Sequence, residues 1–133
     1  MKNLLYATLM LTTTAFTGCG PGKDFSFTPQ PSTHPTITSS QFVNYTGAKE
    51  IGVTLGFDSP GYDVMARTTR FINAQGLLVF MQQPGVSAPG QRTGIVTFTE
   101  NYAGLDAGTY TLSVYLSNAE GGSSNTATYI FTK

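Results

Sequence analysis

Few side chains in this 133-residue chain could do chemistry, and their placement narrows the choice further. The one histidine, His34, stands directly before Pro35 in a proline-rich stretch, whereas a hydrolytic triad needs a base held within reach of a nucleophile. His34 is therefore expected to be a solvated linker residue. Paired carboxylates can act as general acid and base, and the candidates are Asp58, Asp63, Glu100 and Asp106. All four fall at turns or strand ends, where Asp commonly organises backbone. The single cysteine, Cys19, leaves no partner thiol for a disulfide or for a Cys-based zinc site. No glycine loop of the phosphate-cradling kind occurs. The sequence thus predicts no catalytic residues, no cofactor and no enzyme. A chain of this kind acts by presenting surface.

What must position such a surface follows from composition. Seven Lys and Arg balance seven Asp and Glu, and only 11% of residues are charged. Without its leader the chain carries about −1, so no basic patch recruits nucleic acid. Thr, Ser, Gly and Asn are frequent, the polarity of strands and turns rather than of a solvated helix surface.

Met1-Lys2-Asn3 supplies one positive charge, and the mostly apolar run from Leu4 to Phe16 has the length of a signal-peptide core. That run is too short to span a bilayer, which needs about 20 residues. The following Phe16-Thr17-Gly18-Cys19 resembles the lipobox of bacterial lipoproteins, with small residues before the cysteine and Phe16 at the position usually held by Leu. The resemblance implies cleavage before Cys19, a diacylglyceryl group on its thiol and a fatty acid such as palmitate on its new amino group. The alternative is an incidental thiol near an ordinary cleavage site. Acylation anchors a chain to a membrane without crossing it. Gly20 after the cysteine lacks the aspartate of an inner-membrane retention signal, so the expected location is the cell envelope, and the outer membrane in a Gram-negative host. Residues 19–34 carry Pro21, Pro29 and Pro31 without any sustained period and are expected to be a tether. Phe25-Ser26-Phe27 interrupts its polarity and could fold back as a short strand.

From Pro35 to Lys133, short apolar alternations recur between turn signals, as in an antiparallel β-sandwich. Strands are expected over Ile37–Val43, through Ile51, Val53, Leu55 and Phe57, over Val64–Ile72, Leu77–Met81 and Thr93–Thr99, and then in two C-terminal segments. Gln82 to Arg92, with Pro84-Gly85 and Pro89-Gly90, reads as a loop. In Asp106-Ala107-Gly108-Thr109-Tyr110-Thr111-Leu112, the order of Asp106, Gly108 and Tyr110 resembles the tyrosine corner of immunoglobulin-like domains. The stretch from Leu105 to Thr132 is similar to bacterial immunoglobulin-like and PKD-like modules. That resemblance implies an all-β immunoglobulin-like sandwich of about seven strands. Leu112 stands where antibody domains carry cysteine, and the chain has no tryptophan, so an antibody-type domain is excluded.

Loops on such a scaffold concentrate binding residues. The candidate surface comprises Tyr62 and Arg92, on the Asp58–Asp63 and Gln82–Arg92 loops, and Tyr115, which period two places opposite Leu112 and Val114. Tyr45 and Tyr102, in or near loops, are further aromatic candidates. Asp58-Ser59-Pro60-Gly61-Tyr62-Asp63 resembles a degraded calcium loop, but Asp58 and Asp63 are few ligands for an ion that takes six to eight oxygens. Asn44-Tyr45-Thr46 matches a glycosylation sequon, a weak signal in a chain with a bacterial leader. The expected function is a lipid-anchored surface module for adhesion, envelope structure or accessory protein binding. A glycan-binding lipoprotein is the alternative, and a hydrolytic enzyme stands third.

Overall fold

Seven strands form two antiparallel sheets. The computed structural model describes residues 32–86 and 91–133, so the leader, Cys19 and most of the tether lie outside the described residues. The strands are β1 (Thr36–Tyr45), β2 (Glu50–Asp58), β3 (Val64–Asn73), β4 (Leu78–Gln82), β5 (Thr93–Asn101), β6 (Thr109–Asn118) and β7 (Ala127–Thr132). One sheet has the order β1-β2-β5 and the other β4-β3-β6-β7. The fold is an all-β immunoglobulin-like sandwich, with the short strand β4 placed at the edge beside β3.

Alternation explains the core. On β2, Ile51, Val53, Leu55 and Phe57 all point inward and are buried, and the β2–β5 register runs without a break from Glu50 opposite Asn101 to Asp58 opposite Thr93. On β6, Tyr110, Leu112, Val114 and Leu116 supply the facing layer. Phe131 of β7 sits among Phe71, Tyr102, Tyr110 and Tyr129, with ring centroids 4.8 to 6.5 Å apart, so aromatic packing joins the two sheets at one end of the core. Among the described residues, every buried apolar side chain of this core lies between Ile37 and Phe131.

Turn chemistry sets the hairpins. The Asn73 side-chain oxygen accepts from the backbone N–H groups of Gln75 and Leu77, and Gly76 takes a φ of 79°, a left-handed conformation that favours glycine, before β4 begins. At the turn into β6 the Tyr110 hydroxyl donates to the Asp106 carbonyl at 3.0 Å, the bond that defines a tyrosine corner. Gly108 and Lys133 exchange two backbone hydrogen bonds, which ties the chain end to that corner.

Candidate functional site

The Asp58–Asp63 turn and the segment ending at Arg92 lie at one end of the sandwich. Ser59 N–H donates to the Arg92 carbonyl at 2.6 Å, Val64 N–H to the Gln91 carbonyl at 2.9 Å, and the Arg92 guanidinium stands 3.5 Å from the Asp63 carboxylate. The β6–β7 turn joins them, since Ala119 N–H donates to the Asp63 carbonyl. Tyr62 and Arg92 are therefore neighbours on one loop cluster, and the Tyr62 side chain is exposed. Asp63 is engaged by Arg92, and Asp58 is exposed at the end of β2. Among the described residues no group of three His, Cys, Asp or Glu side chains comes together.

The chain enters the sandwich at this same end. The Asn118 side-chain amide donates to the Thr33 carbonyl at 2.8 Å, and His34 Nδ1 lies 3.3 Å from the Ser123 carbonyl. Thr33 also packs against Gly61, where an added Cβ would come within 2.8 Å of it. The last residues before β1 are thus bound to the loop cluster, while the His34 side chain itself stays exposed to solvent. Tyr62 and Arg92 therefore share their end of the sandwich with Thr33 and His34.

Two expectations need correction. Tyr102 is not a surface aromatic: it is 1% exposed, packs on Phe131, and donates its hydroxyl to the Asn44 side chain at 2.7 Å. Glu100 stands near the end of β5, as expected, but it does not organise backbone there. Its parity with Val96 and Phe98 turns it inward, where it is 1% exposed and accepts from Thr69 Oγ1 at 2.8 Å, from the Arg67 guanidinium at 3.3 Å and from the Gln82 amide. Arg67 in turn lies 3.9 Å over the Phe98 ring. This buried charge network bridges β3, β4 and β5.

Tyr115 does occupy the outer face of the four-stranded sheet, half-buried. The Arg70 guanidinium, on the neighbouring strand, donates to its hydroxyl at 3.2 Å and lies 5.1 Å from its ring. Beside them, Thr68 Oγ1 and Arg70 Nε are buried without a hydrogen-bond partner.

An exposed apolar run among the described residues was not among the sequence candidates. Leu77, just before β4, and Leu78, Val79, Phe80 and Met81 of β4 are each 44 to 63% exposed. Phe80 lies opposite Phe71 and turns toward the core, Met81 and Leu78 lie opposite Arg70 and Ile72, and a bulge falls at Val79. Val79 and Phe80 line a cleft of about 230 Å³ together with Phe71, Asn101, Tyr102 and Leu105. No charged residue occurs between Arg70 and Arg92, so β4 lacks the lysines with which sheet edges are usually guarded.

No family model matches the chain, and no curated protein matches it. Among solved structures it resembles catalytically inactive OgpA from Akkermansia muciniphila, determined in complex with an O-glycopeptide (glycodrosocin) substrate. The TM-score is 0.56 at 15% identity, covering 77% of this chain and 29% of that one. The chain therefore spans under a third of that protein. At this identity the likeness shows the fold alone, a β-sandwich.

Proposed function

We propose that the chain is a lipid-anchored, non-enzymatic module of the bacterial cell envelope that binds a protein partner along the open edge of β4. The observation that carries this reading is the unbroken run of five exposed apolar side chains, Leu77 to Met81, on an uncharged edge strand. Solvent contact of contiguous apolar surface is unfavourable, and such patches mark interaction sites. An extended segment added beside β4 would satisfy its free backbone groups, while the cleft beside Phe80 offers a place for one large side chain. The anchor rests on the resemblance of Phe16-Thr17-Gly18-Cys19 to a lipobox. In intact cells, a photo-crosslinking residue in place of Val79 is expected to give a membrane-associated adduct, and Cys19→Ser should shift that chain to the soluble fraction or stall it as a precursor. Absence of any adduct at position 79 would remove the edge from the reading.

A glycan partner is favoured by a different observation. The Tyr45 ring lies against Gly52, where an added Cβ would come within 2.9 Å of it, and its 52% exposure leaves a stacking surface. Gln41, Thr97 and Thr99 line the same groove, of about 260 Å³, and offer hydrogen bonds to sugar hydroxyls. Tyr45→Ala should then weaken binding of a glycan-array ligand by about tenfold or more. A ligand held with unchanged affinity would dismiss Tyr45 as a contact.

A further inference from the structure

Resting on the reading of the β4 edge as a partner site, we propose that its occupant is a second copy of this chain, joined through β4 about a two-fold axis. Three observations converge on that occupant. First, the edge is self-complementary in chemistry: Leu77 to Met81 are all apolar, and no charge between Arg70 and Arg92 opposes a like charge on a second copy. Charged or strongly polar partners would find nothing to pair with here, whereas an identical apolar edge would. Second, the area fits. The five side chains expose roughly 450 Å² per copy. Two such edges bring together at most about 900 Å², just under the ~1,000 Å² of a stable specific interface, which fits a weak self-association in the micromolar range. Third, the exposed side chains lie on both faces of β4, with Phe80 turned inward beside the cleft and Leu78 and Met81 outward. A ligand lying on one face of the sheet would cover half of them, but a strand continuing the sheet covers both.

An edge meets its own copy symmetrically when the strands run antiparallel. The two four-stranded sheets then join into one, in the order β7-β6-β3-β4 followed by its mirror sequence in the partner. Pairing begins over Phe80 to Gln82, beyond the bulge at Val79. Because the strands oppose and β4 pairs only with Thr69 to Ile72, the ends at which Thr33 enters the two copies lie on opposite sides of the dyad, roughly 40 Å apart at about 3.3 Å per residue. Copies anchored by their N-termini on opposed surfaces would meet in this orientation, which is the geometry of self-adhesion.

The test uses residues 31–133, the compact unit that holds the core of the described residues, in sedimentation equilibrium across micromolar concentrations. The wild-type domain should dimerise, and Leu78→Lys or Met81→Lys should weaken association by about thirtyfold or more while leaving the unfolding midpoint nearly unchanged. Ile130→Lys is the control, since Ile130 is 68% exposed on β7 at the opposite edge of the same sheet. A dimer abolished by Ile130→Lys and indifferent to the β4 lysines would overturn the assignment, as would a wild-type domain that stays monomeric throughout. The crosslink at position 79 separates the two failures: an adduct with a different protein refutes self-pairing and keeps the edge as a partner site, and no adduct refutes both.

Discussion

Glu100→Ala is expected to lower the stability of the sandwich by about 3–5 kcal/mol, a large share of what a domain of this size possesses. The loss is that of a broken buried pair. The Glu100 side chain is 2% exposed and that of Arg67 13%, so removing the carboxylate leaves a guanidinium with little water to turn to. Thr69 Oγ1 and the Gln82 amide lose their acceptor in the same step. Glu100→Gln should cost less, since the amide oxygen can still accept from Thr69 while only the ionic attraction to Arg67 is lost. An apolar pair, Arg67→Met with Glu100→Leu, should recover most of the loss, because replacing both charges leaves neither unpaired. Arg92→Ala provides the contrast: the Arg92 and Asp63 side chains are 62% and 42% exposed, so this pair contributes at most about 1 kcal/mol. Urea unfolding of the four variants would decide the matter. A loss below about 1 kcal/mol for Glu100→Ala would show that Arg67 simply swings out to solvent.

Period two made much of this architecture legible. The alternation of Ile51, Val53, Leu55 and Phe57 marks both the strand and its buried face, and the order Asp106, Gly108, Tyr110 marks the turn into β6. Glu100 was readable by the same rule, for it shares parity with Val96 and Phe98, but a carboxylate near a strand end is more often a solvated group. Its burial follows from partners on β3 and β4, 33 and 18 residues away, which no local pattern shows. Tyr102 follows the end of β5 with no period to place it, and only the approach of Phe131 and Asn44 makes its site interior. Leu77 to Met81 shows the opposite failure. A continuous apolar run reads as a strand covered on both faces, and becomes an exposed edge only because the sheet ends at β4. Strand order likewise decides that the loops of Tyr62 and Arg92 share the end where the chain enters.

Phe131→Ala and Phe80→Ala together separate what holds the fold from what the fold presents. Phe131 is 4% exposed and touches four aromatic rings from β3, β6, β7 and the segment after β5, so its removal leaves a cavity that cannot collapse without moving both sheets. A loss of about 3–5 kcal/mol is expected. Phe80 is the same residue type on a strand of the same sheet, packs on Phe71 at 6.0 Å, and is 45% exposed. Its truncation removes little buried area and opens a space that already communicates with solvent through the cleft. The expected loss is about 1 kcal/mol, within the range of a partly exposed contact. The two variants should therefore differ by at least about 2 kcal/mol in chemical unfolding, while Phe80→Ala alone weakens whatever occupies the β4 edge. Equal losses in the isolated domain would mean that β4 is packed as tightly as β7, and an edge so packed would have no free surface to offer a partner.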